Sequence, residues 1–261
     1  VAPTQGFSIS VKHDLDAFLR RLTDVEKQEV PFVTAYALTK TAQDIKDEEV
    51  KVMARVFDRP TRFTLNALFV KPATKQHLKS HVLFKEGFGS IPAWHYLGPQ
   101  VEGGSRVKKS HERALERAGI LKSSEFVVPG QGFPLDAQGN MPGGMLTRIL
   151  SDVGANSDPL QNTTARSRKR NRRKNRGRYV VLRPGGQSGL AGSNRNVAPG
   201  IYHRVGGNAL KPVLMFVSPP QYRKRFPFYE TAKAVFQQRF AMRFREGWQR
   251  YVVNSNQRKA A

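Results

Sequence analysis

Between Arg166 and Arg178 the chain places nine cations in thirteen residues: Arg166, Arg168, Lys169, Arg170, Arg172, Arg173, Lys174, Arg176 and Arg178. Side chains of this type and density neutralise polyanions. Each phosphate contact releases condensed counterions and needs no base sequence. At this spacing like charges repel, which predicts an extended, mobile segment unless an anion neutralises it. Asn171 and Asn175 can add hydrogen bonds to phosphate oxygens, and no aromatic residue lies inside the tract to stack on bases. The composition therefore fits double-stranded DNA, met along its backbone, better than single strands or RNA. An acidic neighbouring protein satisfies the same charges, and a solvated loop or a localisation-like peptide is the bland reading.

The other chemically active residue types are dispersed. The six histidines stand at 13, 77, 81, 95, 111 and 203. His77 and His81 have the minimum spacing for a metal site, but Lys75, Lys79 and Lys85 surround them and no third ligand is near. Carboxylates cluster at Asp44, Asp47, Glu48 and Glu49, on what reads as the outer side of a helix. A two-metal nuclease would need them to converge. Gly103-Gly104-Ser105 lacks the Lys-Ser/Thr ending of a phosphate-binding loop and reads as a turn and cap. Ser110 beside His111 is adjacency in sequence and does not make a triad. Cysteine is absent, which removes disulfides, thiolate metal sites and a cysteine nucleophile. The expectation is a non-enzyme with no cofactor and no small-molecule substrate. A nuclease built on Asp44, Asp47 or Glu48 is the competing enzymatic reading.

The 261 residues hold 44 Lys+Arg against 20 Asp+Glu, a formal charge of +24. That excess is uneven. Residues 1–60 carry 9 basic and 10 acidic side chains, 61–165 carry 12 and 8, and 166–261 carry 23 and 2. Nearly all of it lies in the last third, so the charge reads as a contact device on a scaffold. Hydrophobic residues make up 39%, well above a disordered composition. The longest apolar runs, such as Val213–Val217, are too short to span a bilayer, so no membrane partner is expected. No charged start followed by an apolar stretch suggests a secretory signal.

Positioning these residues requires an α+β fold. Leu15, Phe18, Leu19, Leu22 and Val25 predict an amphipathic helix over 13–29. Pro31 ends it or restarts a second helix. Ala35, Leu38, Ala42, Ile45, Val52 and Val56 continue one face, interrupted by Glu49, up to Asp58-Arg59-Pro60. The pair is a helical hairpin or one long kinked helix. Alternation predicts strands over 63–69 and 78–84. A polar helix follows over 105–118 with Ser105 as N-cap, then loops over 127–133 and 135–141, then a short amphipathic helix over 143–153. Strands are expected at 179–183, 200–205 and 210–217, with Gly206-Gly207-Asn208 as a hairpin turn. A helix from Phe228 to Val252 ends the pattern, its apolar side aromatic. The expected organisation is 1–150 as helical arm, sheet and central insertion, 151–178 as a polar and basic mobile excursion, and 179–261 completing the same mostly antiparallel fold.

Several segments in order resemble minor structural proteins of tailed bacteriophages: 31–42 (PFVTAYALTKTA), 57–61 (FDRPT), 139–144 (GNMPGG), 199–204 (PGIYHR), 210–214 (LKPVL) and 228–232 (FYETA). The layout is similar to the tail-completion (lambda protein Z-like) family, with an N-terminal helix, an Arg/Lys-rich middle, a Pro-Gly-led strand pair and a basic C-terminal helix. The section 86–150 exceeds what shorter members contain. The resemblance implies a virion protein of the neck or upper tail. Such a protein assembles as a homo-oligomeric ring and joins head to tail beside other neck and tail proteins. It carries no catalytic residues. The alternative from composition is a stand-alone, sequence-nonspecific nucleic-acid-binding protein of ribosomal or nucleoid type.

Overall fold

The computed structural model describes residues 6–10, 24–87, 91–173, 178–184, 197–205 and 209–254. It is α+β, with a long helix near the start, antiparallel sheets and a helix near the end. Two compact units divide it. One holds residues 1–103 and 223–261, and the other holds 104–222. The expected boundaries at 150 and 178 do not coincide with these, because strands on both sides of the basic tract share one sheet. The charge division changes with them: residues 104–222 carry 20 basic and 6 acidic side chains, and the remainder carries 24 and 14. Both units are basic.

In the first unit, strand β1 (Gly6–Ser10) precedes helix α1 (Asp24–Val56). The expected helix residues 13–22 and His13 lie outside the described residues. The described helix runs through Pro31 without a break, so the hairpin alternative is not found. A proline inside a helix removes one backbone hydrogen bond and costs about 3 kcal/mol. Packing of its flanks on distant chain opposes that cost: Val30 and Val33 are buried, and the Phe32 ring meets Tyr251 edge-on at 4.7 Å. Further along, Ala37, Leu38, Ala42, Ile45, Val52 and Met53 form the buried stripe.

The helix ends before Arg59, which has a φ of 44°. The alternating residues from Phe63 do not all extend. Thr61 caps a short helix, α2 (Arg62–Leu65), by accepting the Thr64 N–H, and strand β2 begins only at Leu68 (Leu68–Lys71). Strand β3 (Lys79–Phe84) lies between β1 and β2, antiparallel to both. Helix α3 (Trp94–Glu102) buries Leu97 and Val101 in the same core as Leu68, Val82 and Phe84.

The second unit starts with β4 (Gly104–Ser105). Ser105 is therefore a strand residue. Lys109 is the N-cap of helix α4 (Ser110–Arg117), and the Glu112 carboxylate accepts its N–H at 2.6 Å. Strand β5 (Phe126–Pro129) occupies part of a stretch expected to be loop. Helix α5 spans Gly143–Val153, as its amphipathic spacing predicts, and ends at Gly154 with φ 79°. Helix α6 (Ala165–Arg173) follows, then strands β6 (Arg178–Leu182), β7 (Gly200–Val205) and β8 (Ala209–Val217). The Gly206-Gly207-Asn208 turn lies outside the described residues. The four long strands form an antiparallel sheet in the order β5-β8-β7-β6, and β4 pairs with β9 (Gln221–Tyr222). A bulge between Ile201 and Tyr202 sits opposite the segment that holds Pro212, which has no N–H to give the ladder. Leu115, Val127, Ile149, Tyr179, Ile201, Leu214 and Phe216 fill the core.

Returning to the first unit, helix α7 (Phe228–Trp248) continues as one π-helical turn, Gln249–Val253. It packs antiparallel on α1. Gly247 meets Tyr36 and Val33 so closely that an added Cβ would lie 2.8 Å from the Tyr36 Cδ1. Arg243 forks onto Asp44 with both bonds at 2.8 Å and also reaches Glu246 at 2.7 Å.

Candidate nucleic-acid interface

Helix α6 is made from the basic tract. Its sequence, ARSRKRNRR, contains no apolar stripe, and Arg and Lys are good helix formers. Thr164 starts it: its Oγ1 accepts the Ser167 N–H at 3.2 Å and its carbonyl accepts the Arg168 N–H at 2.9 Å. The Arg168 guanidinium donates to the Asp152 carbonyl at 3.4 Å, tying α6 to the end of α5. Residues 165–173 are thus helical rather than extended. Local capping and helix propensity offset like-charge repulsion of a few tenths of a kcal/mol per i,i+4 pair. That repulsion is what an anion would relieve.

The nine tract cations are not equivalent. Arg166, Arg168, Lys169 and Arg170 are exposed on α6, and none makes an ion pair among the described residues. Arg172 and Arg173 close the helix. Lys174 and Arg176 lie outside the described residues. Arg178 opens β6, exposed and directly opposite Arg204 of β7.

Beside α6 lies a cleft of about 590 Å³ lined by Arg148, Ser151, Asp152, Thr163, Asn171, Tyr179 and His203. Helix α5 supplies three of these, α6 supplies Asn171, and β6 and β7 supply the two rings. The register pairs Tyr179 with His203, and their rings stack at 4.8 Å with 27° between planes. Asp152 accepts the Tyr179 N–H at 2.7 Å, which pins β6 to α5. Burial pushes the Tyr179 hydroxyl above its usual range; nearby Asp152 adds to the rise and Arg148 opposes it. Ser151 donates to the Gln161 carbonyl at 2.5 Å, and its own carbonyl accepts the Thr163 N–H, which shapes the wall between α5 and α6. Arg148 is exposed and forms no ion pair among the described residues, not even with Asp152 one turn further along its own helix.

Sequence reasoning located the basic tract and Asn171, but not the helix they form, nor Arg148, Asp152, Tyr179 or His203 as its neighbours. The signal that joins the two rings is the strand register, and it is invisible before β6 and β7 are paired.

The remaining candidate groups are engaged elsewhere. Asp44 is held by Arg243, and Glu48 pairs with Lys51 and Arg55 at 3.1 and 3.3 Å. Asp47 and these two carboxylates line a groove between α1 and α7 together with Lys51, Arg55, Arg239 and Arg243. Cations thus alternate with the carboxylates there. No group of three His, Asp or Glu side chains among the described residues could hold a metal ion. His77 lies in the turn before β3 and His81 within β3, where burial and then Lys71 and Lys79 lower its pKa. Glu112 is wholly buried. Burial alone would raise its pKa, but two 2.6 Å bonds from Arg106 and the N–H groups of Val127 and Lys109 lower it on balance. It is a structural anchor. No helix among the described residues is long and apolar enough to cross a membrane.

Comparison with protein-family models, with curated proteins and with solved structures finds no match to this chain.

Proposed function

We propose that this protein is a non-enzymatic structural component that holds double-stranded DNA by its phosphates through α6. We propose its place as the neck or upper tail of a tailed-phage virion, in a homo-oligomeric ring beside other neck and tail proteins. The observation that carries the DNA contact is the row of exposed cations on α6 without an acidic partner among the described residues. A surface evolved only for solubility has no reason to gather one sign of charge on a single capped helix. Phosphate contact explains both the density and the lack of aromatic residues within the helix. The virion placement is supported by the ordered sequence resemblance to tail-completion proteins.

Two measurements test the reading. Titration of the purified protein with duplexes of unrelated sequence should give equal affinities that fall steeply with salt. Equal affinity that does not change with salt overturns phosphate contact and favours an acidic protein partner. For the placement, the protein should be recovered in fixed stoichiometry from purified particles. Its absence from particles, together with tight DNA binding as a monomer, would favour the free-standing nucleic-acid-binding alternative.

A further inference from the structure

We infer that the cleft beside α6 seats one unpaired nucleotide of a nucleic-acid strand, its phosphate on Arg148 and its base against the Tyr179–His203 ring pair. The inference rests on the reading of α6 as a DNA contact and adds what kind of DNA site it prefers. Four observations converge.

The cleft's volume of about 590 Å³ lies in the range of sites that enclose an organic ligand, and it far exceeds what a bare phosphate ion fills. Arg148 presents a guanidinium with no carboxylate partner among the described residues, and the Asp152 carboxylate one turn away accepts the Tyr179 N–H. A guanidinium so placed suits a phosphate's planar, two-point recognition. The half-buried His203 ring, stacked on the buried Tyr179 ring, lines the same cleft, and aromatic rings stack on any base without regard to sequence. Asn171 brings an amide that can donate to and accept from a base edge. It also lies on the helix whose exposed cations, Arg166, Lys169 and Arg170, would carry the adjoining backbone.

A base can enter only if it is out of its pair. Extruding one from an intact duplex costs free energy that an overhang or gap has already spent. The cleft therefore gives a preference for duplexes with an unpaired end over blunt ones, while α6 binds the phosphates of both.

The test is fluorescence anisotropy with three DNAs of one sequence: a blunt duplex, the same duplex with a short single-stranded overhang, and the single strand. The overhang duplex is expected to bind about tenfold tighter than the blunt one, the size of one stacked base. Arg148→Gln alters an exposed side chain that carries no ion pair among the described residues, so the fold is expected to be kept. It should reduce the overhang preference severalfold while blunt-duplex affinity stays nearly unchanged. His203→Ala should abolish the preference. Equal affinity for blunt and overhanging duplexes overturns the inference and leaves the α6 reading standing. So does an Arg148→Gln loss that is the same for both. Binding of none of the three DNAs overturns the α6 reading and the inference with it.

Discussion

Helices α6 and α7 are both basic, and they use their cations in opposite ways. In α7, Arg243 is gripped by Asp44 on α1 and by Glu246 on its own helix, and Gly247 lets the two helices approach closely. Its charge stabilises the first unit. In α6, Arg166, Lys169 and Arg170 face solvent, and the helix buries no apolar stripe. The sequence density of Arg and Lys does not separate these roles; the partner of each guanidinium does. A third case lies inside the first unit. Glu49 is fully buried on α1, and neither carboxylate oxygen has a hydrogen-bond partner among the described residues. Burial, with the nearby charges of Glu48 and Glu230, pushes its pKa up to about 9. An unpartnered charge outside is available for a ligand, whereas inside it stays protonated.

Neutralising α6 should break the contrast most strongly. Arg166→Gln, Arg168→Gln, Lys169→Gln and Arg170→Gln together should weaken duplex DNA binding by about 100-fold at moderate salt. Thermal stability should change little, since relief of self-repulsion offsets the loss of the Arg168 bond to the Asp152 carbonyl; loss of folding would show instead that α6 has a structural role.

Glu49→Gln should act on stability alone. The folded pKa of Glu49 lies above its ordinary value of 4.5, so the folded state keeps a proton that the unfolded chain gives up. The stability of the parent is therefore fully present below the ordinary carboxyl pKa and falls as the pH climbs towards about 9. Removing the titration should flatten that decline and raise stability at pH 8 by on the order of 2 kcal/mol. Denaturant melts across pH measure it, and an unchanged pH slope contradicts the burial of a protonated carboxyl.

Arg243→Gln should cost about 1 kcal/mol of stability, the scale of a partly buried, bidentate pair, and leave DNA affinity unchanged. A drop in DNA affinity equal to that of an α6 variant would erase the distinction between the two helices. Lys169→Gln alone should have the smallest effect. It should weaken DNA binding a few-fold and lower the salt dependence by about 0.9 in a log–log plot, one phosphate's share.

Much of the fold was legible before the structure. Alternation marked β3, the strands expected at 179–183, 200–205 and 210–217 match β6, β7 and β8, and the 3.6-residue period marked α5 at Gly143–Val153 and α7 from Phe228. At Pro31 the pattern left a hairpin and one long helix both open, because the Tyr251 ring that packs on Phe32 and Tyr36 and favours the long helix lies more than 200 residues away. Strand β5 was hidden by Pro129 and Gly130 at its end, and its partner β8 defines it. Of the site, the cations could be read directly, but not their helical form, because capping by Thr164 competes with repulsion on a scale no pattern reveals. The cleft required the pairing of Tyr179 with His203 across two strands.

The salt dependence of duplex affinity, measured side by side for the unmodified chain, the fourfold α6 variant and Arg243→Gln, tests the central claim most directly. Loss of four phosphate contacts should reduce the log–log slope by about 3.6 in the α6 variant, with Arg243→Gln matching the unmodified chain. Equal slopes in all three, or an equal reduction in both variants, would contradict the assignment of the DNA contact to α6.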